Sequence, residues 1–505
     1  MDKLLQINNG ECIERSHIPR VSPELFYRQL NQFVRNGGFV VQFFAYPENK
    51  QMIQLAVLRS SNLYILETAV TREYPSLTRS AGAKFNLFER EMAEQYGLRP
   101  AGHPWLKMLR YHANTSDRPD VFNNTYSEDI PGNYPYFQIQ GESIHEVAVG
   151  PVHAGIIEPG HFRFQCAGEE VLHLEIQLGY QHRGVERMLR TVPHKRLISL
   201  CENIAGDTTI GHGLCCCQAI EALTGLIVAR GASTVRTIAF ELERLANHIG
   251  DLGALSGDVA FNPPAAYFGR IRGEFLNLLL QLSGNRFGKG LLRPGGVGYV
   301  MAAEQRQTIA NKLKELRPEI QHVCDLLFTA HTVLARFEDT GTVSREIAHD
   351  LGLVGVCGRA SGLEYDVREF FPTERYQDLP GLSNQVSHGD VYSRAMARYE
   401  DIVHSLDLIE LLLAEEEQGY PAAALNEHEY QLAPSSCVVT LNEGWRGELS
   451  HCVLTDEQGQ IARYKVKDPS FHNWPGLAMA LRNQGISDFP LCNKSFNLSY
   501  CGFDL

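Results

Sequence analysis

The chain has 505 residues, 44% apolar and 21% charged, with a formal net charge of −13. That length exceeds what one hydrophobic core ordinarily supports, so two or more domains are expected, and the acidic balance argues against a nucleic-acid partner, which needs clustered Lys and Arg. No apolar run reaches the ~18–20 residues that cross a bilayer and "MDKLLQINNGECIERSH" carries no signal-peptide core, so a cytoplasmic protein is expected, its twelve dispersed cysteines free thiols.

Residues 1–111 read as a small α+β unit. "SPELFYRQLNQFVRNG" opens on a Ser-Pro helix start, keeps helical apolar spacing and stops at Gly37-Gly38. "GFVVQFFAYP" and "MIQLAVLRSSNLYILETAV" are β-branched and aromatic runs that predict two or three strands. "FNLFEREMAEQYGL" predicts an amphipathic helix ending at glycine. Residues 112–143, rich in Asn, Asp, Pro and Tyr and without periodicity, predict a linker.

From 144 onward the pattern changes. "EVAVGPVHAGIIEPGHFRFQCAGEEVLHLEIQLGYQHRG" alternates like strands around Gly-Pro turns. Helical spacing follows over 213–230, 235–255, 265–283, 303–336, 388–416 and 473–484, with a strand-like stretch, "SSCVVTLNEGWRGELSHCVLTDEQGQIARYKVK", before the last. Residues 144–505 therefore read as a mainly α-helical domain with a small β-sheet. The basic strip "RYKVK" (463–467) reads as a solvated strand face.

Three motifs carry a chemical reading of their own. "ELERLANHIGDLG" places Glu241, Arg244 and His248 on one helical face; buried, such a row needs internal partners and reads as an ion-pair network. "LCENIAGDTTIGHGLCCCQAIEAL" (200–223) holds Cys201, Cys215, Cys216 and Cys217 without a C-x-x-C pair. Adjacent helical residues point about 100° apart, so the last three cannot all face one ion and read as small core residues. "GGVGYV" follows a proline and lacks a third spaced glycine, so no dinucleotide site is expected. Nor does any C-x-x-C run offer an ordinary place for an iron–sulfur cluster.

"YPSLT" (74–78) followed by "FEREMAEQYGLRPAGHPWLKMLR" resembles the small hydrophilic, 30 kDa-like subunit of respiratory complex I. "GPVHAGIIEPGHFRF" (150–164), "GYQHRGVE" (179–186), "ELERLANH" (241–248), "SGNRFGKGLLRPGGV" (283–297), "GVCGRASGLEYDVR" (355–368), "GDVYSRAMARYED" (389–401) and "EGWRGEL" (443–449) resemble the complex I quinone-site subunit and the large subunits of membrane-bound, energy-converting (group 4) [NiFe] hydrogenases. The resemblance implies a fusion: a 30 kDa-like α+β domain over 1–111, a linker over 112–143, and a hydrogenase-large-subunit-like domain over 144–505.

Hydrogenases of that family hold nickel with the thiolates of two C-x-x-C pairs, soft donors that its redox states require. Anchored on "CQAIE" and His212, the first pair falls on Ala205 and Thr208; in "SFNLSYCGFDL" the second falls on Ser499 and Gly502. None is cysteine, so no metal is expected on this chain, nor hydrogenase activity. The resemblance implies instead a redox subunit of a complex I-like assembly, peripheral on the cytoplasmic face of the inner membrane. Its partners would be a small subunit with a [4Fe–4S] cluster and integral-membrane antiporter-like subunits, its acceptor a quinone or other small molecule reduced with coupled proton transfer. The alternative is a catalytically silent scaffold bridging the cluster subunit and the membrane arm. By the same resemblance His153 matches the histidine facing the quinone headgroup in complex I, with Thr208 and Arg293 about the cavity, while the tyrosine opposite falls near Ile204. Glu158 matches a glutamate set beside the cavity for proton passage, which Asp207, His212 and His161 extend as a relay.

Overall fold

In the computed structural model, which describes residues 3–112, 119–122, 134–153, 157–381, 386–415 and 431–505, the N-terminal part is a sheet with helices on one face. Its elements are β1 (Leu5–Ile7), β2 (Cys12–Glu14), β3 (Arg20–Val21), α1 (Pro23–Arg35), β4 (Phe39–Glu48), β5 (Gln51–Arg59), β6 (Leu63–Val70), β7 (Glu73–Pro75), α2 (Leu77–Ala81), α3 (Asn86–Tyr96) and β8 (Arg99–Ala101). The sheet runs β1–β6–β5–β4, with β3 beside β6. Ser22 caps α1 by accepting from Leu25 N, and Pro23 stands where no N–H is needed. Gly97 closes α3 in the left-handed conformation.

One face of this sheet carries α1 and α3, with Phe26 packed on Phe43 and Phe43 on Phe85. The other face, including Val41, Phe44, Ile53, Leu55 and Val57, packs on Cys437, Val439, Leu441 and Leu454 of the C-terminal sheet. Covered on both sides, β4 and β5 read as continuous apolar runs rather than alternating ones.

The second part opens with β9 (Ile144–Val149), β10 (His161–Ala167) and β11 (Glu170–Gln177), in the order β11–β10–β9. Then come α4 (Val185–Thr191), α5 (Leu197–Cys201), α6 (Thr209–Thr224), α7 (Arg230–Asp258), α8 (Asn262–Ser283), the hairpin β12 (Leu292–Arg293) and β13 (Gly296–Val297), α9 (Ala303–Thr329) and α10 (His331–Phe337). After α11 (Arg345–Leu351), α12 (Gly355–Ala360), α13 (Val367–Phe370) and α14 (Val391–Ala414) the chain forms β14 (Ser436–Gly444), β15 (Gly447–Thr455) and β16 (Ile461–Lys467), and ends in α15 (Ser470–Ala480), α16 (Phe489–Phe496) and α17 (Tyr500–Phe503). Helix α7 is buried over most of its length, packed between α6, α8 and α14. No helix among the described residues is long and apolar enough to cross a membrane.

Three sequence expectations change. The helix expected over 303–336 is broken at Ala330, which is extended (φ −74°, ψ 110°), with neither glycine nor proline to mark it. The helix expected over 213–230 starts earlier, at Thr209, and is closed by left-handed Gly225. The basic strip 463–467 is not solvated. Arg463 reaches Glu186 at 2.8 Å, Lys465 lies 2.8 Å from Glu91 and 3.0 Å from Glu186, and Lys467 pairs with Glu448, which also holds Arg59 at 2.8 Å. The N-terminal part covers this sheet, and burial forces each cation onto a carboxylate.

The N-terminal segment also enters the C-terminal sheet, whose order is β16–β15–β14–β2. Cys12, Ile13 and Glu14 pair with Val438, Cys437 and Ser436. Of the linker expected over 112–143, residues 113–118 and 123–133 lie outside the described residues. Within the rest, the hydroxyls of Tyr134 and Tyr136 donate to Glu175 and Gln177 of β11.

Candidate functional site

The residues at the sequence positions of the nickel ligands come from two segments. Ala205 and Thr208 lie in the turn between α5 and α6. Glu243 of α7 fixes where α6 begins: its carboxylate accepts from Ile210 N (2.6 Å) and Gly211 N (3.1 Å), at the positive end of the helix. Ser499 caps α17 and Gly502 lies within it; Ser499 Oγ accepts from Gly502 N at 2.9 Å and Ser499 N donates to Ser470 Oγ at 2.8 Å.

Two side chains from the C-terminal sheet region join these segments. Arg446, in the turn between β14 and β15, grips the Asp207 carboxylate with both terminal nitrogens (2.7 and 2.8 Å), donates through Nε to Asn497 O (2.5 Å) and lies 3.4 Å from Thr208 Oγ1. Asp468, just after β16, lies against Gly502. A Cβ on Gly502 would stand 2.7 Å from Asp468 Cγ and 2.9 Å from Ser499 Oγ, so no side chain fits there. Ala205 has no donor atom, and the hydroxyls of Thr208 and Ser499 already contact Arg446 and Gly502. The four positions do not fit a nickel–iron centre.

What they adjoin is a line of buried titratable groups. Asp468 Oδ2 is 3.1 Å from His212 Nε2, His212 Nδ1 is 3.1 Å from His451 Nε2, His451 Nδ1 is 2.9 Å from the Tyr464 hydroxyl, and that hydroxyl is 3.7 Å from Cys201 Sγ. Burial alone would raise the Asp468 pKa; the hydrogen bond and charge of His212, with Arg446, hold it below the usual carboxylate value. An ionised Asp468 takes the proton-bearing Nε2 of His212. Burial, reinforced by His212, keeps His451 neutral by lowering its pKa well below normal. With His212 neutral the hydrogen bonds run one way, Tyr464 O–H to His451, His451 N–H to His212 and His212 N–H to Asp468; with His212 protonated, its Nδ1–H donates to His451 instead and the part beyond it reverses. Asp207 is also ionised, since Arg446 outweighs the upward push of burial.

The remaining expected residues are less connected. Half-buried Glu158 accepts from Cys501 N at 3.4 Å, one residue before Gly502. His153 Nε2 lies 2.9 Å from Gly160 O, and Gly150 turns with φ +82° where a Cβ would sit 2.1 Å from that same oxygen. His161 spends both ring nitrogens locally, on Gly150 O (3.2 Å) and Arg163 Nε (3.2 Å), outside the line. Arg293 is exposed on β12, donating to Leu292 O at 3.0 Å, and no contact among the described residues joins it to Asp207, Asp468 or Arg446. Ile204 is fully buried.

The structure thus brings together Asp207, Thr208, His212, Ser499 and Gly502, sets Glu158 at their edge, and leaves His153 and Arg293 apart. Arg446, His451, Tyr464 and Asp468 were not singled out in sequence. The available signal was slight, a histidine and a tyrosine among the polar residues of "GELSHCV" and "ARYKV", strands that turn out to be buried almost throughout.

Cys215, Cys216 and Cys217 are fully buried and diverge. Cys215 Sγ accepts from Asn442 Nδ2 at 3.2 Å, Cys216 meets Cys201 and Tyr464, and burial pushes the Cys215 thiol up to about 12. Part of the expected row on α7 is an ion-pair network: Arg244 reaches Glu241 at 3.0 Å, and Asp401 pairs with Arg359 and Arg368, while His248, its pKa lowered to about 4 by burial, lies neutral 3.2 Å from Asp401. Beside it, burial and then Asp366 push Glu443 up to about 8.

Residues 258–434 match the family described as "Respiratory-chain NADH dehydrogenase, 49 Kd subunit". The chain is 30% identical over 356 residues to the carbon monoxide-induced hydrogenase of Rhodospirillum rubrum, covering 70% of this chain and 98% of that protein. It is 27% identical over 475 residues to hydrogenase-4 component G of Escherichia coli K12, covering 92% and 80%. To the C/D subunit of the NADH-quinone oxidoreductase of Phocaeicola vulgatus it is 27% identical over 440 residues, covering 80% and 82%. The chain therefore belongs to the family that unites the 49 kDa subunit of respiratory-chain NADH dehydrogenase with the large subunits of group 4 hydrogenases, in the form fused with a 30 kDa-like domain.

Proposed function

We propose that this chain is a redox subunit of a membrane-attached, complex I-like assembly that has no nickel–iron centre. It takes electrons from a [4Fe–4S] cluster in a small partner subunit and supplies protons for reduction of a quinone or similar small acceptor. The carrying observation is the pairing of four sulfur-free, filled ligand positions with a buried hydrogen-bond line that ends beside them at Asp468. Its relatives, hydrogenase components and NADH-quinone oxidoreductase subunits, support the redox setting. With no cluster motif of its own, the chain depends on its partner for electrons, and on integral-membrane partners for attachment at the cytoplasmic face.

Reducing a quinone to a quinol consumes two electrons and two protons. On this chain, Glu158 and half-buried Asp207 stand toward the outside, and His212 is the group able to gain a proton on one nitrogen while releasing one from the other. Asp468 stabilises the charged imidazole during that passage, and Arg446 holds Asp207 and the 497–502 segment in place. His153, with Nε2 on Gly160 O, is assigned to the acceptor by the family resemblance alone.

The test is reduction of a short-chain quinone by the purified assembly, comparing wild type with Glu158→Gln, Asp468→Asn and His153→Ala. Loss of proton delivery lowers turnover about 10²-fold in the first two, with the partner cluster still reducible. Unchanged turnover in all three favours the silent scaffold.

A further inference from the structure

A cavity of about 140 Å³ lies where α3 and the 105–109 segment of the N-terminal part meet β11 and α15. Two of the chain's three tryptophans, Trp105 and Trp474, wall it, with Met108, Leu178 and Phe503. Phe503 belongs to α17, one residue beyond Gly502, so this cavity backs onto the element that carries the filled ligand positions.

Its polar atoms are unusual. Gln177 is 2% exposed, and its Oε1 accepts from the hydroxyls of Tyr136 and Tyr180. Those two donors fix the amide orientation and leave Nε2 a buried donor with no partner. Asn86 Oδ1, on α3, and His173 Nε2, on β11, belong to two further lining residues and are likewise unpartnered. Buried polar atoms are nearly always satisfied, and three exceptions lining one cavity point to an occupant. The charges nearby are already used. Glu175 accepts from Lys107 Nζ (2.7 Å), Tyr134 OH (2.7 Å) and Phe137 N (2.8 Å), and Arg90 donates to Lys107 O and Met108 O. The occupant is therefore uncharged.

Size and shape narrow it further. A cavity of about 150 Å³ takes up one benzene ring, and aromatic walls favour a flat partner. Gln177 Nε2 needs an acceptor and Asn86 Oδ1 a donor; a hydroxyl group is the smallest substituent that is both.

We propose that this cavity is a binding site for an uncharged, single-ring aromatic molecule bearing a hydroxyl group, the chemistry of phenols and quinols. The site stands whether or not the redox reading does, because nothing in it depends on electron transfer.

Calorimetric titration of the full chain with p-cresol and with toluene tests it, since the two differ by one hydroxyl. We expect saturable one-to-one binding of p-cresol, about tenfold tighter than toluene, one hydrogen bond's worth. Gln177→Leu removes that preference, and Ala478→Phe, which fills the cavity, abolishes binding while the circular dichroism spectrum stays unchanged. No saturable p-cresol binding would mean that water alone satisfies these atoms and would overturn the proposal. So would equal affinity for the two ligands, or wild-type binding by the filled variant.

Discussion

Asp468 and Glu443 are both buried carboxyls with opposite electrostatics, and the difference is measurable. Asp468 is held below the usual carboxylate range despite burial, so its ionised form stabilises the fold above its unfolded pKa, about 3.9, and that contribution is lost as pH falls through the folded value. Asp468→Asn should cost about 1–3 kcal/mol at pH 7, and its stability gap to wild type should close in acid, as read by urea unfolding. Glu443 is pushed up to about 8 by burial and Asp366. The folded state then binds the proton more tightly, so its contribution is present below about pH 4 and fades as pH rises toward 8. Glu443→Gln should gain stability relative to wild type between about pH 5 and pH 9; a gap that widens in the other direction would contradict the assignment.

At this scale the sequence was informative where chemistry sits on a motif. Ala205, Thr208, Ser499, Gly502 and His212 were picked out by resemblance, and Asp207, expected in the relay, stands beside Thr208. Arg446, His451 and Asp468 were not, because a strand pattern does not say which helix residue, far earlier in the chain, it will face. Arg293 shows the reverse: a motif arginine that stands on an exposed hairpin, with Nη1 on its neighbour's carbonyl.

Among the elements, α6 matters most, since Thr208 precedes it and His212 lies in its first turn. Glu243, from α7, occupies both N–H groups at its start. Glu243→Ala should destabilise by about 1–2 kcal/mol, as removal of a helix cap does, with burial holding the Glu243 carboxyl up at about 8, and should loosen the His212–Asp468 contact, visible as a shift in the histidine NMR signals. Strand and helix identity was legible for α1, α3 and β4 to β6, where capping serine, closing glycine and apolar runs coincide. The interruption at Ala330 was not, because the residues around it keep helical spacing. Nor was the burial of 463–467: two of the carboxylates that neutralise it, Glu91 and Glu186, lie far away in the chain, and Glu91 belongs to the N-terminal part.

For the whole molecule, the two parts are joined by more than their linker. Residues 12–14 form an edge of the C-terminal sheet, and Arg59–Glu448 and Glu91–Lys465 are buried pairs across the boundary. Breaking such a pair from one side costs about 3–5 kcal/mol. Cutting the chain at a protease site inserted between 123 and 131 should therefore leave two fragments that elute together in gel filtration; separation at neutral pH and moderate salt would show the interface to be weaker than its contacts imply.

On the reading proposed above, a scaffold related to hydrogenases works without nickel, because none of the four aligned positions offers sulfur and Asp468 takes the space at Gly502. Nickel per chain in the purified, active assembly, measured by elemental mass spectrometry, tests it most directly. The account predicts none above background; one nickel per chain would contradict it.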